Sequence, residues 1–264
     1  MRDPKQWTND ESGEGYVESQ PEQRLSQVQT LWTIVCQAHG GGTATTVRSA
    51  QEQLLDRYLA VVRRYLLGAL RDADAAEDLT QEFSLRFLRG ELKGADRQRG
   101  RFRDYLKGTL FHLIGDFHRR RKRTPLPLAE GYEPAAETDD VSAQDQQFLE
   151  SWRAELLSRA WQTLAELQAE TRRPFHQVLQ FRAANLELRS ADMAEQLGPV
   201  LGHSVNAAWV RQTLHRAREK FAEFLLEEVR QTLDEPTFEQ LEDELVLLGL
   251  HSYCQPALET RRTT

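Results

Sequence analysis

Two cysteines in 264 residues, Cys36 and Cys254, are too few and too far apart for a disulfide framework or a thiolate zinc site. Long apolar runs are missing as well. No stretch approaches the ~18–20 residues needed to cross a bilayer, and residues 1–24 lack the apolar core of a secretion signal. The expectation is a chain that is neither exported nor inserted in a membrane, at work in a reducing cytoplasm. Sustained period-two alternation is also absent, so no sheet is predicted, and there is no internal repeat. Catalytic constellations are equally scarce. Glu77/Asp78, the His112/Asp116 pair and His118 find no third ligand at a useful spacing, and Gly40-Gly41-Gly42-Thr43 lacks the lysine of a phosphate-binding loop. No enzyme, catalytic residue, metal site or cofactor is expected.

Net basic charge is lacking too: 34 Lys and Arg stand against 41 Asp and Glu, for a formal charge of −7. On its own this argues against nucleic acid, but the local distribution matters more than the sum. Between Arg97 and Arg123 lie ten basic residues and two acids, Asp104 and Asp116, with aromatics interleaved. Between Glu130 and Glu150 lie seven acids and no Lys or Arg. The two segments nearly cancel, which hides a concentrated cationic site inside an acidic chain.

What the chain has in quantity is helical periodicity. Leu54, Tyr58, Val61, Val62, Tyr65, Leu66 and Ala69 recur at three and four and predict one helix face. Asp74-Ala75-Ala76-Glu77 has the spacing of a capping box for a second helix, whose stripe is Leu79, Phe83, Phe87 and Leu88 and whose terminator is Gly90. A third helix carries Phe102, Leu106, Leu110, Leu113, Ile114 and Phe117 on one face and cations on the other. Pro125 and Pro127 end it. Helical pattern resumes with Leu149, Trp152, Leu156, Ala160, Leu164 and Leu167, then Phe175, Val178, Leu179 and Leu186. Ser190 is placed to cap a short helix that Gly198-Pro199 stops, and Ser204 or Asn206 to cap a long one bearing Val210, Leu214, Ala217, Phe221 and Leu225. Short helix, turn, long helix is the helix-turn-helix order.

Three strings, in order, resemble bacterial RNA polymerase sigma factors of the extracytoplasmic-function (ECF) type. Asp74 to Phe83 (DAAEDLTQEF) looks like the signature of the helix that grips the polymerase clamp. Gly100 to Leu106 (GRFRDYL), leading to Asp116 to Arg123 (DFHRRRKR), looks like the promoter-melting helix of region two. Ser190 to Lys220, with MAEQLG and SVNAAWVRQTLHRAREK, is similar to the helix-turn-helix of region four. The resemblance implies an all-α protein of two small helical domains joined by an acidic linker. On that reading residues 1–24 are a disordered tail, 25–124 region two, 125–145 the linker, 146–230 region four and 231–264 an acidic helical C-terminal extension, as in one subgroup. Asp234-Glu235-Pro236 would start that extension and Gly249 end it.

The resemblance also assigns roles. Arg119, Arg120, Arg121, Lys122 and Arg123 would neutralise phosphates. Tyr105, Phe111 and His112 lie off the main stripe and would stack on melted bases, at roughly 1–3 kcal/mol each; packing of Tyr105 and Phe111 between helices is the alternative. Asn206, Ala207, Arg211, Gln212, His215 and Arg216 would meet duplex DNA in the major groove. Asp78, Gln81, Glu82, Leu85 and Arg86 would dock on the clamp of the largest subunit of core RNA polymerase. Partners implied are that polymerase, promoter DNA and, in the family, an anti-sigma factor or another regulator; no membrane is involved. The rival reading is a helix-turn-helix transcription regulator that never joins polymerase, for which the DLTQEF face and the basic-aromatic helix would have no use.

Overall fold

Thr43 caps helix α1, Ala44–Leu70: its Oγ1 accepts from the Thr46 amide at 3.3 Å, and the helix starts ten residues earlier than the apolar stripe predicts. The computed structural model describes residue 34 and residues 43–91, 101–123, 141–233 and 235–262, the side chains at 122, 123, 141 and 142 excepted. The expected tail 1–24, most of the linker and Cys36 therefore lie outside the described residues. Among the described residues there are helices and no strands, the all-α class expected. After α1 come α2 (Ala73–Leu88), α3 (Phe102–Arg123), α4 (Val141–Thr171), α5 (Phe175–Ala184), α6 (Ser190–Leu201), α7 (Ala207–Gln231), α8 (Phe238–Leu247) and α9 (His251–Arg262).

Several local expectations need correction. The cap of α2 is Asp72, whose carboxylate accepts from the Ala75 amide at 3.1 Å, rather than Asp74. Glu77 does not reach back to close a capping box; it accepts from Arg63 Nε on α1 at 3.2 Å. Leu88 falls outside the buried stripe of α2 and is 43% exposed, and Leu186 follows the end of α5 and is 73% exposed. In α6, Ser190 is the first helical residue and Arg189 the cap, with the Asp192 carboxylate accepting from the Arg189 amide at 3.3 Å. Gly198-Pro199 does not stop that helix. With no Cβ on Gly198, one of the strains that Pro199 imposes is absent, and the helix continues to Leu201 and ends at Gly202, φ +75°. Of the two candidate caps for α7, Asn206 is the one used: its Oδ1 accepts from the Trp209 amide at 2.9 Å. The C-terminal tract is two helices rather than one. Thr237 and Gln240 form a reciprocal cap on α8, and Gly249, φ +64°, turns the chain into α9.

Two apolar cores result. The first gathers the stripes of α1, α2 and α3, the first half of α4, the second half of α7, and α8 and α9; the second gathers the end of α4, α5, α6 and the first half of α7. Helices α4 and α7 feed both cores and join them. At the centre of the first, Trp152 stacks on Tyr58 with centroids 5.2 Å apart and planes at 7°, and Phe148 and Phe102 close the cluster at 6.1 and 6.5 Å from Trp152. Burial pushes the Tyr58 hydroxyl up to about 12, so it stays protonated and accepts from Arg57 Nε at 3.2 Å. Arg57 in turn reaches Glu228 on α7 at 2.5 Å, and Arg159 on α4 donates to the Arg57 carbonyl at 2.6 Å.

Glu227 ties α7 to α9, accepting from Arg230 Nη2 at 2.6 Å and Arg261 Nη2 at 3.0 Å. Burial pushes its carboxyl up, but the hydrogen bonds from Arg230 and Arg261 outweigh this and hold it below its ordinary value of 4.5. A carboxyl depressed in the folded state contributes stability above its unfolded pKa and loses it as pH falls through the native value. Glu227→Gln is therefore expected to lower stability by about 1–2 kcal/mol at neutral pH. The difference from the parent shrinks on titration below pH 4.5, which paired thermal melts across that range check.

Candidate nucleic-acid interface

Helix α3 turns its apolar stripe inward, with Phe102, Leu106, Leu110, Leu113 and Ile114 buried, and this leaves its C-terminal cations facing water. Arg119, Arg120 and Arg121 are all exposed, as the basic run predicts. The side chains of Lys122 and Arg123 lie outside the described residues. Arg119 and Arg120 are held in a network with carboxylates of α2 and α3. Arg119 Nη2 donates to Asp116 at 2.5 Å, and Arg120 Nη2 to Glu82 at 2.8 Å; Arg86 bonds the same Glu82 carboxylate and lies 3.7 Å from Asp116. The Arg119 hydrogen bond, with the nearby charges of Arg86 and Arg120, keeps the Asp116 carboxyl below its usual range. Arg86, Asp116, Arg119 and Arg120 line an open cleft of about 200 Å³. That is small for a substrate pocket, and the three guanidinium groups of this network outnumber its two carboxylates, Glu82 and Asp116, which leaves it net positive.

The three candidate stacking rings are not equivalent. His112 is exposed, Phe111 is half-buried, and Tyr105 packs at the edge of the first core, 6.0 Å from the Phe102 ring. Burial pushes the Tyr105 hydroxyl up to about 12. His118, considered above only as a metal ligand, stands exposed beside Arg119 with its ring edge-on to Phe117 at 5.6 Å.

On α2 the proposed docking residues share one side. Asp78 and Gln81 are exposed, Leu85 is 52% exposed, and Glu82 and Arg86 are half-buried in the ion-pair network above. The polymerase-facing and DNA-facing candidates thus meet through Glu82, a junction that sequence spacing does not reveal. Leu88, expected in the core, extends this exposed apolar surface at the end of α2.

In the second core, Met193, Ala194 and Leu197 of α6 pack with Val210, Leu214 and Ala217 of α7. The opposite side of α7 presents Arg211, Gln212, His215 and Arg216, all exposed; Ala207 is half-buried, and the Asn206 oxygen is taken by the cap. His215 lies 3.8 Å from Glu219, one turn on. Thr213, absent from the predicted core, is buried between the apolar positions.

This is an all-helical scaffold that presents a cationic helix end next to an acidic and apolar face, with no cluster of His, Cys, Asp and Glu able to hold a metal among the described residues. No described helix is long and apolar enough to cross a membrane. Against known families, residues 52–124 match Sigma-70 region 2, from the first core face of α1 to the end of α3. The match spans well under half of the chain and supports a sigma factor in general, a non-enzymatic initiation factor; a region of this kind implies binding to core RNA polymerase and promoter DNA. No curated protein and no solved structure matches the chain.

Proposed function

We propose that this protein is an RNA polymerase sigma factor of the ECF type, working in the cytoplasm, in which residues 190–220 act as region four. The observation that carries the reading is the pairing of a Sigma-70 region 2 match over residues 52–124 with a second core built on α6 and the first half of α7, whose outer face offers Arg211, Gln212 and Arg216. The first module would take core polymerase on Asp78, Gln81, Glu82, Leu85 and Arg86 and the opened strand on α3. The second would lay α7 in the major groove upstream, where Arg and Gln have the donor and acceptor patterns that read guanine and adenine. Neither module needs chemistry of its own, because polymerase supplies it.

The test is reconstitution. The full chain added to core polymerase free of other sigma factors is expected to start transcripts at discrete points on a genomic fragment library. Binding to duplex fragments with no transcript would instead favour a regulator that does not join polymerase. Replacing Asp78 and Gln81 together by Ala is expected to lower capture of core polymerase about tenfold, the result of losing ~1–2 kcal/mol of contacts. Undiminished capture in a pull-down would remove α2 as the docking face.

A further inference from the structure

The C-terminal hairpin holds the least exposed carboxylate singled out in the first core, and it belongs to none of the surfaces above. Glu244 on α8 is 1% exposed and accepts from Arg101 Nη1 and Arg103 Nη1, each at 2.5 Å. Arg103 is itself 5% exposed. These arginines flank Phe102, the first residue of α3, whose ring lies 5.0 Å from Tyr58. Three consecutive residues at the start of α3 are thus fixed, two by one carboxylate 141 and 143 positions away and one by the aromatic cluster. The far end of α8 is secured too, with Arg153 of α4 donating to the Leu248 carbonyl at 3.4 Å. Arg101 and Arg103 belong to the basic stretch, yet their charge is answered inside the molecule.

We propose that Glu244 is a positioning residue for DNA opening: it anchors the N-terminal end of α3, and so makes the C-terminal hairpin the part that sets the pose of the cationic, ring-bearing helix. The proposal rests on the reading of α3 as the strand-opening helix. Tyr105 lies one turn beyond the anchor against Phe102, and the arginines at 119–121 lie on the same rigid rod. A tilt at the anchored end displaces both. Strand capture needs the rings and the cations aligned with a path in polymerase, whereas capture of polymerase uses α2 and does not. Loss of the anchor therefore separates the two activities.

The experiment uses the full chain with Glu244→Gln, which keeps size and removes the charge. The template is a duplex fragment that the parent protein transcribes with core polymerase, supplied intact or with a pre-melted mismatch bubble. The expected result is polymerase capture and bubble-template transcription close to the parent, with about a tenfold or greater loss of permanganate-reactive thymines on intact duplex. In the free protein, amides at 102–106 are expected to exchange faster than in the parent. Unchanged opening or unchanged exchange in a folded Glu244→Gln protein overturns the proposal, as does equal loss on both templates. Should that variant fail to fold by circular dichroism, Arg101→Gln decides by the same comparison, since its side chain is 35% exposed and Arg103 still pairs Glu244. The exchange readout needs no polymerase, so a parent protein that opens no duplex refutes the sigma-factor reading while leaving the anchor to be judged on exchange alone.

Discussion

Trp152→Ala is expected to lower the unfolding free energy by about 3–5 kcal/mol, enough to unfold a marginal domain. Trp152 is 1% exposed and touches the rings of Tyr58, Phe148 and Phe102, so its loss opens a cavity where α1, α3 and α4 meet. The neighbours sit on three different helices whose packing elsewhere holds them apart, so collapse into the space is limited. Trp152→Phe is expected to recover most of the loss. The indole Nε1 is buried without a hydrogen-bond partner among the described residues, a situation that costs about 1–3 kcal/mol. Phenylalanine gives up part of the ring but also this unpaired donor. Urea unfolding followed at 222 nm checks both; an alanine variant within 1 kcal/mol of the parent would mean that the aromatic cluster is not the centre of the first core. Because α4 and α7 run through both cores, the parent is also expected to unfold in one transition.

The apolar stripes of α1, α3 and α7 were legible because helical packing repeats at three and four, and the residues at those spacings are buried except Ala69, Phe117 and Phe221, which are half-buried at the core edge. Helix ends were less legible. Asp72 and Asp74 stand two apart, and only Asp74 has a Glu three positions on, yet Asp72 is the cap while Glu77 accepts from Arg63 on α1. Gly198-Pro199 reads as a stop by propensity, yet the helix runs through it to Leu201. Long-range pairing was not legible at all. Nothing near Glu244 in the sequence indicates that its partners are Arg101 and Arg103, or near Glu82 that Arg120 will share it with Arg86. The sign of a local charge run was therefore readable, but how many of its members remain available to a ligand was not. Of the ten basic residues between Arg97 and Arg123, Arg103 and Arg101 answer a buried carboxylate, while Arg119 and Arg120 face solvent with Asp116 and Glu82 as partners.

Replacing Arg119, Arg120 and Arg121 together by Ala is expected to cut affinity of the polymerase complex for single-stranded non-template DNA about a hundredfold at ~0.1 M salt. Each phosphate neutralised on a single strand contributes about 0.7 to the slope of log affinity against log salt, so three lost contacts flatten that slope by ~2 and remove about two decades at this concentration. Stability should barely change. Arg119 and Arg120 are 63% and 55% exposed, and ion pairs between exposed groups contribute little after screening. Glu82 keeps Arg86 when Arg120 is lost, so the docking face proposed on α2 is not left with an unpaired carboxylate. The expected signature is consequently a split, with polymerase capture retained, strand binding lost, and the loss shrinking as salt rises because the contribution removed is electrostatic. A parallel drop in both activities, or a salt slope equal to the parent's, would show that these arginines serve the fold or the docking face and that the opened strand is held elsewhere. Titration of labelled single-stranded DNA from ~50 to ~300 mM salt by fluorescence anisotropy separates these outcomes, because non-electrostatic stacking on His112 and Phe111 leaves the slope unchanged.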